Sequence, residues 1–192
     1  MKQVADNETK EILRIAEDCL RFDGDFVEFG CFEGDTSLLL AGLLKEKSKT
    51  SGKKLWIYDS FEGLPEKSAE DYSEAGKDFK KGELFVTKAF VKKRFLRANL
   101  PVPIIKKAWF SELNPTEDMP EKISFAFLDG DLYDSIKTSL ELCISKMGEN
   151  GIIVVHDYQN PQLPGVTKAV DEFARKTGAK LNLVASLAIL SK

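Results

Sequence analysis

The sequence predicts an α/β fold built on a doubly wound, Rossmann-like sheet, and three observations carry that expectation. Strand-like and helix-like segments alternate from one end of the chain to the other, the pattern of consecutive βα units. GIIVVHD (151–157) opens on a continuous apolar run, as suits a parallel strand covered on both faces, and KISFAFLD (122–129) is a second strong strand. Apolar residues make up 43% of the 192 positions and are spread along the chain, enough for the core of one ordinary domain. A single domain over 1–192 is expected, with residues 1–24 as an N-terminal helical segment.

The elements follow in order. Residues 8–20 place Ile12, Leu13, Ile15, Ala16, Cys19 and Leu20 on one helical face, with Asn7 as N-cap. A turn at Asp23-Gly24 leads into the strand DFVEFG. The helix DTSLLLAGLLKEK follows, with Asp35, Thr36 or Ser37 as cap. KLWIYD (54–59) is the next strand, and the charge-dense stretch 66–82 after it is a candidate lid loop. A helix over 87–98, a strand within 103–110, the strand 122–129 and a helix over 136–147 come next. The strand 151–157 then precedes a helix over 166–177, stopped by Gly178. LNLVASLAILSK reads as two short terminal strands.

Composition narrows the function. The formal net charge is -3, a poor basis for gripping a phosphate backbone, so no nucleic-acid partner is expected. No window approaches the ~18 uninterrupted apolar residues of a membrane span, and the first residues lack the apolar core of a secretory signal. Cys19, Cys31 and Cys143 have no metal-type spacing and read as buried free thiols, which points to the cytoplasm. Basic residues outnumber acidic ones from Lys77 to Lys107. A solvated helix face is the plainer reading of that run, and attraction of an anionic substrate such as a nucleotide sugar the sharper one.

In doubly wound sheets ligands sit beyond the C-terminal strand ends. Here those ends carry Glu28 with Gly30, then Asp59, Asp129, and His156-Asp157. In VEFGCFEGDTS, Gly30 and Gly34 permit a tight turn and close approach of backbone to a ligand, although an ordinary strand-to-helix turn would look similar. Its G-x-x-x-G spacing is not the G-x-G-x-x-G of a dinucleotide site, and Glu28 suits a ligand bearing ammonium and sulfonium charge. Asp59 offers two oxygens to a ribose diol, or else caps a turn. In LDGDLYDS, Asp129 ends the strand and is the functional candidate, while Asp131 and Asp134 are placed to cap the next helix. The segment lacks the glycine and distal glutamate of a calcium loop. His156 is the only histidine in the chain. Beside Asp157, and at the same edge as Asp129, it reads as a metal ligand or a general base.

Taken together, VEFGCFEGDTS, YDSFEGLPE, AWFSEL, LDGDLYDS, GIIVVHDY and PGVTKAVDEF resemble the macrocin O-methyltransferase family, over roughly residues 26–175. The resemblance implies a class I methyltransferase fold with seven strands, the last antiparallel, and S-adenosylmethionine as methyl donor. By position it implies that Glu28, Gly30 and Gly34 line the donor and that Asp59 and Ser60 hold its ribose. It also implies a divalent metal, magnesium, on Asp129 and Asp157, whose hard oxygen ligands would by their own chemistry suit magnesium or manganese. Two departures stand out. The family has Asp-Asp-Tyr where this chain has His156-Asp157-Tyr158, so His156 takes the place of a metal-binding carboxylate. Family members also carry more N-terminal helix, which helps cover the substrate and build a homodimer.

The expected chemistry is methyl transfer to a hydroxyl of a small molecule, in line with the sulfonium. A metal would acidify the hydroxyl, and Asp129 or His156 would take the proton. A non-catalytic nucleoside-binding module is the alternative, and a nucleotide-dependent oxidoreductase is a third.

Overall fold

The computed structural model describes residues 4–47, 52–75 and 79–191. Seven strands form one sheet: β1 (Asp25–Phe29), β2 (Leu55–Asp59), β3 (Ile104–Lys107), β4 (Ile123–Leu128), β5 (Met147–Val155), β6 (Lys180–Val184) and β7 (Leu187–Ser191). Their order across the sheet is β3-β2-β1-β4-β5-β7-β6. Pairing is parallel from β3 to β5, and β7 runs antiparallel to both β5 and β6. The expected seven-stranded, doubly wound sheet with an antiparallel last strand is therefore present. Strand order reverses between β1 and β4, and the crevice at that switch point is where such folds bind ligands.

Alternation along the central strands sorts side chains onto two faces. Phe26, Phe125, Phe127 and Val154 pack with Ile12, Ile15, Leu40 and Phe95, from the helices α1 (Asp6–Cys19), α2 (Asp35–Glu46) and α3 (Lys88–Arg97). Val27, Ala126, Leu128 and Val155 pack on the opposite face with Ile136, Leu140, Val166 and Phe173, from α4 (Tyr133–Ile144) and α5 (Pro164–Thr177). All six residues of β4 are buried, which is why its sequence is apolar apart from Ser124, whose hydroxyl donates to the Gly24 carbonyl at 2.9 Å. Truncating Phe125 or Phe127, both fully buried, would cost about 3–5 kcal/mol.

Several boundaries differ from the sequence expectation, each for a local reason. Helix α1 starts at Asp6 after an extended Ala5, so Asn7 is not its cap. The Glu8 carboxylate instead accepts the Ala5 amide at 3.1 Å. None of Asp35, Thr36 and Ser37 caps α2, because Gly34 holds that position at φ 82°. Helix α4 begins at Tyr133 rather than 136, and neither Asp131 nor Asp134 caps it. Asp71, 62 positions away, accepts the Tyr133 amide at 2.7 Å. The chain from 147 onward is strand rather than helix, and β5 stops at Val155, leaving His156 and Asp157 just beyond it. Gly178, at φ 71°, ends α5 as expected.

The stretch 66–82, of which residues 76–78 lie outside the described residues, contains one short 3₁₀ turn at Ala69–Asp71. Its tether is Asp71, which also accepts the Ser68 hydroxyl at 2.7 Å. A Cβ at Gly165 would lie 1.9 Å from the Asp71 carboxylate, so only glycine permits this approach of α5. Among the described residues no helix is long and apolar enough to cross a membrane. The three cysteines are free and buried, as expected.

Candidate active site

Backbone hydrogen bonds carry the sheet ladder one residue past the strands and bring their ends together. The Gly30 amide donates to Tyr58 at 2.9 Å, the Asp129 amide to Phe29 at 2.8 Å and the His156 amide to Leu128 at 2.9 Å. Gly30 sits at φ 82°, and a Cβ there would lie 2.1 Å from the Asp129 carbonyl oxygen, so this packing requires glycine. Beyond the ends of β1, β2, β4 and β5, the non-glycine residues Phe32, Phe61, Asp131 and Asp157 all adopt positive φ. Such conformations cost of order 1–3 kcal/mol each and concentrate at functional sites.

A cleft opens over these ends. Gly30, Asp59 and Ser60 lie on one side and Asp129 and Asp131 on the other, with Leu64, Trp109 and Phe110 among its apolar walls. Glu28 lies outside this cleft, in a narrower cavity that shares Gly30 and Asp129 with it. Gly34 lines neither. It supplies the left-handed turn that starts α2. Asp59 is occupied by backbone: one oxygen accepts the amides of Cys31 and Phe32 at 2.9 and 3.3 Å, and the other that of Phe61 at 2.7 Å. The Ser60 hydroxyl donates to the Gly63 carbonyl at 3.2 Å. Glu28 is buried and accepts the Ser37 hydroxyl. Burial, with Asp129 and Asp59 nearby, pushes its carboxyl up to about 8 against that hydrogen bond.

Next to the cleft lies the His156 cluster. Nδ1 of the ring is 3.0 Å from an Asp129 oxygen and 3.0 Å from an Asp157 oxygen, and Nε2 is 3.3 Å from Glu8. Burial alone would lower the imidazole pKa, but the charges and hydrogen bonds of Asp129 and Asp157 outweigh it and raise it to about 12. Asp157 is the mirror case: burial pushes its carboxyl up, while His156 and Asn160 hold it below the usual range. One ligand atom from each of Asp129, His156 and Asp157 lies within 4.8 Å of the others.

Two site residues escape a reading of the sequence. Glu8 belongs to an amphipathic helix and carries no motif. Asp131 looks like a helix cap, yet it lines the cleft with φ 60°. Burial, Asp129 and Asp157 push its carboxyl well above the usual range. Its position two residues after Asp129 is the signal that marks it. The basic run is largely tied down where its contacts are seen. Arg94 pairs with Asp35 at 2.6 Å, Lys106 with Asp118 at 2.9 Å and Lys107 with Glu62 at 3.1 Å. Lys77 lies outside the described residues.

Comparisons with known proteins agree with this architecture. The chain is 28% identical over 158 residues to demethyldecarbamoylnovobiocin O-methyltransferase of Streptomyces niveus, covering 80% of this chain and 59% of the relative. It is 29% identical over 140 residues to an 8-demethyl-8-(2,3-dimethoxy-alpha-L-rhamnosyl)-tetracenomycin-C 4'-O-methyltransferase of Streptomyces olivaceus, covering 70% and 53%. The chain thus spans under two thirds of the length of these curated relatives. The solved structure of the O-methyltransferase NovP superposes with a TM-score of 0.84 at 24% identity, over 100% of this chain and 81% of that one. The macrocin-O-methyltransferase (TylF) family model matches residues 6–187. With that match spanning almost the whole chain, the protein belongs to the macrocin-O-methyltransferase family.

Proposed function

We propose that the protein is an S-adenosylmethionine-dependent O-methyltransferase acting on a hydroxyl of a small molecule, a sugar hydroxyl in the first instance, with a divalent cation. The observation that carries the donor assignment is electrostatic. The residues lining the cleft and the adjoining cavity include Glu28, Asp59, Asp129 and Asp131, and none of them is lysine or arginine. A pyrophosphate would find no cationic partner there, whereas sulfonium and ammonium groups would find carboxyl groups, and their positive charge would favour the ionised form of Glu28 over the protonated form of the empty site. The strand-end glycine Gly30 and the apolar walls at Leu64, Trp109 and Phe110 suit a nucleoside. The sugar acceptor is drawn from the rhamnosyl substrate named for the Streptomyces olivaceus relative.

The cation assignment rests on donor chemistry and spacing. The ring nitrogen Nδ1 stands 3.0 Å from a carboxylate oxygen of Asp129 and 3.0 Å from one of Asp157, and one ligand atom from each residue lies within 4.8 Å of the others. Ligands at about 2.0–2.1 Å from one ion and at right angles to each other lie about 3 Å apart, so the three residues fit. Asp129, His156 and Asp157 would hold the ion, with nitrogen favouring manganese over magnesium. When bound, the donor supplies an electrophilic methyl group and the cation a Lewis acid that acidifies the acceptor hydroxyl.

The chain's own groups do the remaining work. Asp129 faces both the cleft and the cluster, so it joins donor and acceptor sites. His156 lines neither the cleft nor the adjoining cavity, and its Nδ1 faces Asp129 and Asp157, which favours the ligand role over that of base. Asp131, in the cleft wall with a raised carboxyl pKa, is placed to receive the acceptor's proton. The 66–82 stretch is the candidate lid, hinged about the Asp71 anchor and excluding water when closed.

The test is calorimetry with S-adenosylhomocysteine and with NAD, followed by a methyl-transfer assay on rhamnosyl acceptors with and without chelator. Binding of the first ligand and cation-dependent turnover are expected. Tight NAD binding without S-adenosylhomocysteine binding would overturn the donor assignment, and donor binding without turnover on any hydroxyl would favour a binding module.

A further inference from the structure

Glu8 lies 148 positions from His156 in the chain, yet its carboxylate faces the Nε2 side of the ring. Both residues are buried, at 7% and 6% exposure. A carboxylate so deeply placed is costly unless its lone pairs are used, and here each oxygen is in use. One accepts the Ser186 amide at 3.2 Å together with the Ser186 hydroxyl. The other accepts the Ala5 amide at 3.1 Å and faces Nε2 at 3.3 Å. Three segments thus converge on it: the start of α1, the turn between β6 and β7, and the end of β5. A carboxylate serving only to lock the first turn of α1 would need one oxygen near Ala5, and would need neither burial nor an approach to the imidazole.

We infer that Glu8 is a positioning residue for the cation site, fixing the His156 ring with Nε2–H toward Glu8 and Nδ1 toward Asp129 and Asp157; this rests on the cation reading above. The chemistry follows from the two ring nitrogens. A neutral imidazole carries one N–H and one lone pair, and the partner of the N–H decides which nitrogen is left to bind an ion. Glu8 has only acceptor oxygens to present, so the nitrogen facing it carries the hydrogen. With an ion held by Asp129 and Asp157, the lone pair left for it would be the one on Nδ1, 3.0 Å from an oxygen of each. The donor set becomes two oxygens and one correctly aimed nitrogen, which selects manganese or zinc above magnesium.

The experiment measures Mn²⁺ and Zn²⁺ binding to the full chain by calorimetry, for the wild type and Glu8→Gln, each also in a His156→Asp background. Glu8→Gln is expected to weaken binding roughly 10–100-fold, the usual effect of losing such an outer partner, and to cause no loss where residue 156 has no ring to orient. Equal losses in both backgrounds, or none in the first, would overturn the role. Because His156 is the sole histidine, the imidazole ¹⁵N spectrum of Zn²⁺-loaded protein needs no assignment. One protonated and one metal-bound nitrogen are expected in the wild type, and a mixture of ring states in Glu8→Gln. An identical spectrum in both also overturns the role. Should Glu8→Gln fail to fold, Ser186→Ala loosens Glu8 without touching the ring. A weaker site is expected there, and unchanged affinity overturns the role. A wild type that binds neither ion removes the cation reading and this inference together. A wild type that binds, with Glu8→Gln indistinguishable from it, removes the Glu8 role alone.

Discussion

The carboxylate of Asp59, at the end of β2, accepts the backbone amide of Cys31, in the loop after β1, at 2.9 Å. The same oxygen takes the Phe32 amide, and the other takes that of Phe61. Asp59 therefore shapes the loop that borders the cleft, with little lone-pair capacity left for a ribose diol. Asp59→Ala should weaken S-adenosylhomocysteine binding by about 1–3 kcal/mol and also lower the melting temperature, since it leaves buried amides unpaired. A variant that loses affinity but melts like the wild type would show that Asp59 serves the ligand and not the loop.

Asp129→Asn and Asp157→Asn keep side-chain shape but remove a negative charge from the proposed cation site. Metal affinity should fall in both, while donor binding persists in Asp157→Asn, because Asp157 lines neither cavity. Titration of each variant with Mn²⁺ and with S-adenosylhomocysteine separates the two effects. Full activity of chelator-treated wild type would be incompatible with the proposed cation.

His156→Asp replaces a ring nitrogen with oxygen. If His156 is a ligand, the variant stays active and shifts toward magnesium. A proton acceptor at this position would instead be missed by a factor of roughly 10²–10⁴ in turnover. Turnover with each ion in turn reads out the difference.

Glu28 makes stability depend on pH. In the unfolded chain it titrates near 4.5, and in the folded protein near 8. The folded state therefore holds a proton that the unfolded chain has already lost between those values. Its contribution is complete below the unfolded value and is lost as pH rises through the folded one. The ligand-free protein should lose melting temperature from about pH 5 to about pH 8, and Glu28→Gln, which needs no proton, should flatten that slope. Parallel curves for the two proteins would mean that Glu28 is not the group responsible.

Asp71 ties the 66–82 stretch to the first turn of α4 through the Tyr133 amide. Asp71→Ala should destabilise the fold by about 1–3 kcal/mol, the cost of leaving a buried amide without a partner. Urea unfolding measures that loss. Hydrogen exchange should show the greatest new exposure near residues 66–75 and at the start of α4.

What the amino-acid sequence determined by itself is everything that local pattern encodes. Apolar runs within 122–129 and 151–157 marked buried parallel strands, Gly178 marked the end of α5, and polar residues at strand ends marked the edge where the cleft opens. Those signals are legible because strand burial, turn chemistry and ligand position in doubly wound sheets follow from residues near one another in the chain. Tertiary structure alone decided which polar side chain meets which. Asp131 reads locally as a helix cap, but Asp71 already holds the Tyr133 amide, and Asp131 is turned into the cleft at φ 60°. Glu8 reads as one polar residue of an amphipathic helix, yet packing of α1 beside the end of β5 sets it against His156. Contacts across 62 and 148 positions leave no periodic or spacing signal, because they are made by the docking of whole elements rather than by the path of the chain between them.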